Sequence, residues 1–498
     1  MDKLASGLIK GSSYIMISSF FVRGLRVIKS IIIARFLGPE NLGMYSILVS
    51  LNGLQGTFAE FGNSFALTNM IGKYKIHNRK EISNIISSVV WFVLASTLLT
   101  TLIVILISGY LATEVYSKPE LQFYIVLLSL FLFLTIISGI NTAILQGYHK
   151  MREIAILSVL ATLLGISILY PLARYYGLLG VILSGIISGM LFVLIAIVFF
   201  IKKIFEEEEI VLYFRLKKEV VRESLKTSLP NFSQTAVDMA SPLIAGTLLV
   251  IMLGFEKLGY YHVAGYFTWI VLSIPLAIAT PYYPMINELY SSRSKDYSRF
   301  IMKSQKLVCF SALPIALGMG LFSNLFISGL YGGEYSLAIN VAYWTSITAF
   351  FAAFSTLFGY IFYVQMRGFE MVKIRIIWLL IYIVSAYFLI QQFDVMGMGM
   401  AYFVAYAGQS IIFLKMLPPN IQFNRWKTAI LLLLLVVGVI LIFFMWVQLE
   451  RSKIFSIFIV LAILLLEYKA LTMGEQNMLM DNFKKLRHHL HIIKRKEQ

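Results

Sequence analysis

Acidic residues are scarce in this chain. Its 498 residues include 25 Asp and Glu against 42 Lys and Arg, and charged residues of both signs make up only 13%. Soluble domains carry about a quarter, so an ordinary soluble fold is excluded. The single cysteine, Cys309, rules out an intramolecular disulfide and a multi-cysteine metal site. There is no D-x-D pair, no H-E-x-x-H and no Cys/His cluster on which metal-assisted or glycosyl-transfer chemistry would rest. "IGKYK" (71–75) lacks the glycine spacing and the Ser/Thr of a phosphate-binding loop, so ATP hydrolysis is not expected. The opening "MDKLASGLIKGSS" has no small-residue cleavage site before its apolar stretch, and no removable signal peptide is expected.

What the chain does have is apolar length. It is 59% hydrophobic, with a mean hydropathy of +0.81. Runs of about 20 residues, enough to cross a bilayer, recur to the end. Fourteen candidate spans follow: roughly 12–36, 42–68, 84–111, 121–146, 154–174, 178–201, 228–252, 258–285, 300–327, 337–364, 372–392, 396–416, 428–447 and 453–471. The reading is an all-α polytopic membrane protein with no nucleic-acid partner, because the positive charge is scattered over short loops and forms no single patch. With the N-terminus in the cytoplasm, 33 of the 42 Lys and Arg fall on the cytoplasmic side. Basic loops stay inside, which predicts a multi-pass protein of the cytoplasmic (inner) membrane with both termini inside.

The chain also repeats itself. "LGPENLGMY" (37–45) returns as "LGFEKLGYY" (253–261), 216 residues on, and the helix-opening Gly180 returns as Gly397, 217 on. Two six-span lobes are expected: 1–201, then a linker 202–227 read as an amphipathic surface helix, then 228–416. Two further helices occupy 417–471, and 472–498 is a basic tail. An even number of spans per repeat sets the symmetry axis along the membrane normal and any substrate site between the lobes. The tail's His488, His489 and His491 are read as part of a basic surface helix, with no metal site expected.

The first span should repel the bilayer. Arg23, Arg26 and Lys29 lie inside it, and each cation at a helix centre costs roughly 2.5–3.5 kcal/mol on insertion scales. At about 100° per residue they share one arc, and Arg23 sits ~16 Å in at 1.5 Å per residue. Arg35 falls off that arc and is read as an interfacial anchor. The second span carries Asn52, Gln55 and Glu60 on one stripe, and the seventh carries Asn231, Gln234 and Asp238. Such stripes either pack helices together or line a water-filled cavity. Three cations with only Glu60 and Asp238 deep enough to pair with them favour a cavity for an anion. Asp238 is expected to pair with Arg23 or Arg26 when that cavity is empty. Asp238 and Glu60 are also the candidates for gating, or for coupling to H⁺ or Na⁺.

"ARFLGPENLGMYSI", "LKTSLPNFSQTAVDMA" and "LYGGEYSLA" (330–338) resemble the Wzx-type polysaccharide-transport flippases of the multidrug/oligosaccharidyl-lipid/polysaccharide superfamily. The likeness runs through the whole chain. It implies a carrier, not an enzyme, with no cofactor, that moves a polyprenyl-diphosphate-linked anionic oligosaccharide to the outer leaflet by alternating access. Membrane lipids, and a polysaccharide polymerase or glycosyltransferases, are its implied partners. Arg23, Arg26 and Lys29 take the diphosphate or acidic sugars under that resemblance, and residue-by-residue matching stops there; Asn52, Gln55, Glu60, Asn231 and Gln234 are candidate substrate contacts from their stripes alone. Rival readings are a lipid II flippase, a drug/cation antiporter of the same superfamily, and a membrane glycosyltransferase or polymerase. The antiporter would be expected to line its cavity with acids, and the enzyme to carry a larger extramembrane domain.

Overall fold

A computed structural model describes residues 2–75, 79–214, 216–365, 368–418, 421, 425–449 and 453–470; the basic tail and its histidines lie outside the described residues. Among the described residues there are fourteen long helical rods. Helix 1 (2–37) and helix 2 (39–74) are followed by helix 3 (Arg79–Tyr110), helix 4 (Leu121–Gly147), helix 5 (151–176) and helix 6 (178–207). The second set is helix 7 (Lys218–Leu253), helix 8 (Phe255–Ser291), helix 9 (Tyr297–Leu321), helix 10 (Ala338–Val364), helix 11 (Gly368–Phe393) and helix 12 (Val395–Met416). Helix 13 (Arg425–Gln448) and helix 14 (Lys453–Ala470) complete the fold. Among the described residues nine helices are long and apolar enough to cross a membrane, one of which, Met151–Glu207, holds both helices 5 and 6. Connections at one end carry most of the Lys and Arg; we call it the basic end and its opposite the far end.

Four far-end reversals turn on a single residue. Gly38 (φ 68°, ψ 174°) and Gly254 (φ 88°, ψ 174°) are 216 residues apart. Gly177 (φ 53°, ψ −127°) and Asp394 (φ 53°, ψ −144°) are 217 apart. Positive φ favours glycine, whose missing Cβ removes the clash. Asp394 tolerates it because its carboxylate accepts from the Val395 N–H and from Lys257 Nζ, both at 2.6 Å. The repeat is thus a repeat of backbone geometry.

Close approaches repeat in the same register. A Cβ on Gly180 would stand 1.9 Å from Leu172 O, and one on Gly397 would stand 2.1 Å from Leu389 O. More telling is the contact between lobes. A Cβ on Gly43 would meet Phe255 O at 2.0 Å, and one on Gly259 would meet Pro39 O at 1.9 Å. Residue 43 touches 255 and residue 259 touches 39, the reciprocal pattern of a two-fold interface. The twin motifs are where the lobes press backbone to backbone at the far end.

Helices 13 and 14 pack on the second lobe. Tyr343 of helix 10 donates its hydroxyl to Val439 O of helix 13 (2.9 Å) and stacks on Trp446 with ring centroids 5.6 Å apart. Ser456 of helix 14 reaches Leu321 O. The linker departs from expectation. Helix 6 runs on to Glu207 and helix 7 starts at Lys218, so no separate amphipathic helix forms. Instead residues 210–214 and 216–217 run along helix 3 without helical structure. The N–H groups of Val211, Tyr213 and Lys217 donate to the hydroxyls of Ser83, Ser87 and Ser88 at 3.2, 2.9 and 3.0 Å. Trp91 Nε1 donates to Tyr213 O at 3.0 Å. A serine face on helix 3 satisfies the backbone that a helix would have satisfied internally.

Candidate functional site

Helix 1 runs along the seam between the lobes. Arg23 and Arg26 are exposed and Lys29 is half-buried. Arg23 Nη1 reaches across to Ser273 O of helix 8 at 3.4 Å, so this end of the arc faces the second lobe. None of the three has a carboxylate partner among the described residues.

Above the arc, toward the far end, helix 1 is clamped. Ser30 Oγ lies 3.2 Å from Tyr331 Oη, and the Tyr335 hydroxyl donates to Ala34 O at 2.8 Å. Arg35 donates from Nε to Leu330 O (2.8 Å) and from Nη2 to Gly329 O (2.9 Å). Arg35 is therefore more than an interfacial anchor: it ties helix 1 to the last carbonyls of the short helix Ser323–Leu330. Together with the Gly43–Gly259 crossing, these contacts join the lobes at the far end.

The second stripe divides. Asn52 donates to Leu128 O at 3.1 Å. Gln55 is buried, donating to Thr101 Oγ1 (3.4 Å) and accepting from Ser129 Oγ (3.0 Å). Both hold helices 2, 3 and 4 together inside the first lobe. Glu60 accepts from the Ser64 N–H at 3.1 Å, restarting the helix after a break at Phe61 and Gly62, which both have positive φ. These three serve the packing and capping of the first lobe.

The third stripe belongs to the second lobe. Asn231 is exposed. Gln234 lies one turn before Asp238 on helix 7, and Asp238 forms an ion pair with Arg375 Nε of helix 11 at 2.9 Å. That corrects the expected pairing with Arg23 or Arg26. The reason is rotational: Met239 is the residue that meets helix 2, its Sδ 3.5 Å from a Cβ built on Gly53, and one residue back, about 100° round the helix, Asp238 faces helix 11. The Arg375 guanidinium also lies over the Trp378 ring (5.0 Å) and near Gln409 Oε1 (3.4 Å). Arg375 was not among the residues singled out from the sequence, although it falls inside the span expected at 372–392. Its place seven residues into helix 11, at a depth comparable to Asp238's, was the signal that it is internal.

At the basic end the lobes meet through side chains. Ser224 Oγ donates to Asn63 Oδ1 at 2.6 Å, Lys73 Nζ pairs with Glu223 at 2.9 Å, and Phe61 stacks on Phe232 at 3.8 Å.

The similar proteins include a transporter and a flippase. The chain resembles a putative O-antigen transporter of Shigella flexneri, 21% identical over 310 residues covering 61% of this chain and 72% of that one. Its fold superposes on the lipid II flippase MurJ in an inward closed conformation (TM-score 0.69, 14% identity, 91% of this chain and 97% of that). It also superposes on an inward-facing multidrug resistance MATE transporter of the MOP superfamily (TM-score 0.66, 15% identity, 78% and 92%). The family described as "Polysaccharide biosynthesis protein" matches residues 8–290, more than half the chain, and with the fold in agreement the chain belongs to that family.

Proposed function

We propose that this protein is a flippase that carries a polyprenyl-diphosphate-linked, anionic oligosaccharide from the cytoplasmic to the outer leaflet by alternating access. The observation that carries the reading is the arc of Arg23, Arg26 and Lys29 on helix 1, which has no carboxylate partner among the described residues, reaches the second lobe through Arg23, and lies below the far-end clamp. Unpaired cations at membrane depth are stable only against water or an anionic ligand. An arginine fork grips two phosphate oxygens at once. The basic loops assign the basic end to the cytoplasm of a cell membrane, with both termini there, so the arc is loaded from inside.

Both membrane carboxylates are engaged, Asp238 by Arg375 and Glu60 by a backbone N–H. We therefore assign the driving force to the substrate's own charge, in preference to H⁺ or Na⁺. One elementary charge crossing 100 mV is worth about 2.3 kcal/mol, and an inside-negative potential pushes a diphosphate outward.

Complementation of a transporter-null strain tests the arc. The double substitution Arg23→Gln, Arg26→Gln is expected to abolish export at normal membrane abundance, with Lys at both positions rescuing in part. Wild-type export from the Gln double variant would sink the proposal. Transport into vesicles under an imposed potential, with no H⁺ or Na⁺ gradient, separately tests the driving force.

A further inference from the structure

The two lobes share a register but not a filling. Helices 4 and 10 both begin and end 217 residues apart. In the second lobe Phe354 and Phe358 of helix 10 pack edge to face at 4.9 Å, and Phe413 of helix 12 lies beyond them, 6.3 Å from Phe358. The residues 217 earlier are Ile137, Asn141 and Ala196. Three phenyl rings are thus missing from the first lobe. Next to Asn141, between helices 3, 4 and 6, lies an apolar cavity of about 560 Å³, closed on one side by Ile210 and Leu212 of the linker. That volume is in the range of sites that enclose a small ligand, ~300–1,000 Å³.

Asn141 is only 5% exposed and lines this cavity, and its Nδ2 has no hydrogen-bond partner among the described residues. A buried amide donor left unpaired is costly, so its occupant should bring an acceptor to it. At the rim Lys202 and Glu206 stand 3.8 Å apart, both largely exposed. A run of acids, Glu206 to Glu209, continues from there.

We infer that this cavity binds one glycerophospholipid with a zwitterionic aminophosphate headgroup, separate from the transported substrate. One acyl chain fills the apolar chamber. Its ester carbonyl accepts from Asn141 Nδ2. The phosphate meets Lys202 and the ammonium meets Glu206. An isoprenoid chain has no acceptor along its hydrocarbon to satisfy Asn141, and a purely anionic headgroup would face the acidic run. The site lies at the basic end beside the serine-held linker, so its occupant touches the segment joining the lobes.

Native mass spectrometry of the full-length protein, offered phosphatidylethanolamine, its diether analogue, phosphatidylglycerol and a polyprenyl phosphate, tests this. Phosphatidylethanolamine should be retained as a single copy, with the diether about tenfold weaker. Val90→Trp, which fills the chamber from helix 3, should abolish retention, and Asn141→Leu should erase the ester–ether difference. Glu206→Lys should shift preference to phosphatidylglycerol. Thermal unfolding identifies variants that fold, and Asn141→Leu stands alone if Val90→Trp does not. Undiminished retention in folded Val90→Trp, an unchanged ester–ether ratio in Asn141→Leu, or polyprenyl phosphate outcompeting phosphatidylethanolamine in the wild type would overturn the assignment.

Discussion

Helix 4 and helix 10 occupy the same place in the repeat, yet 28% of one apolar stretch is buried within the protein and 83% of the other. Helix 10 is covered by helix 13 and filled around by phenylalanines; helix 4 is covered by neither. A duplicated architecture therefore fixes where a helix runs without fixing what surrounds it. In the second lobe helices 10 and 12 form the dense part, 83% and 61% buried along their apolar stretches, beside a part-buried ion pair. The first lobe has kept open surface along helix 4, the apolar cavity beside Asn141, and the arc of cations without a carboxylate partner among the described residues.

The largest test of that contrast is a matched pair of truncations. Phe358→Ala should cost about 3–5 kcal/mol, the range for emptying a packed aromatic site. Asn141→Ala, at the equivalent position, should cost under about 1 kcal/mol because no packed ring or satisfied hydrogen bond is lost. Thermal unfolding in one detergent compares them directly, and equal destabilisation would mean the lobes are packed alike.

The far-end crossing is where the lobes should behave identically. Gly43→Ala and Gly259→Ala each drive a methyl into a backbone carbonyl, and overpacking costs about 1–3 kcal/mol or more when neither side can give. The two losses should agree within experimental error. A large loss at one position only would show that the reciprocal contact is not shared evenly.

The smallest effect separates the two ends of the seam. Arg35→Ala removes two bonds to carbonyls and should cost about 1–2 kcal/mol. Lys73→Ala removes an exposed pair, 62% and 40% open to solvent, and should leave the unfolding midpoint unmoved. The reverse order would place the stronger clamp at the basic end.

The sequence carried the rods and their repeat because apolar length and glycine spacing are local signals. It also carried the arc, since three cations at helical spacing in an apolar run conflict with insertion energetics whatever the fold. Partners were harder to read. Asn52 and Gln55 look alike whether they line a cavity or bind a neighbouring helix, because both uses need an amide on one stripe. Asp238 could be placed at the right depth but not on the right azimuth, and helix rotation is set by tertiary contacts such as Met239 against Gly53. The linker misled for a related reason: its alternating charge fits an amphipathic helix, and only the serines of a distant helix make the non-helical form cheaper.

Those serines leave the chain between the lobes without slack. Ten residues can span at most ~33–36 Å when fully drawn out, and here much of that length is stitched to helix 3 before helix 7 begins. The first turns of helix 7 are themselves fastened to the first lobe through Glu223 and Ser224. Parting the lobes at the basic end must then unpick the stitching or flex helix 7 partway along. Its interior carries Pro230 and Pro242, where a rod lacking backbone donors bends most easily. Helix 7 is thereby both a wall of the second lobe and the leaf spring by which that lobe hangs from the first.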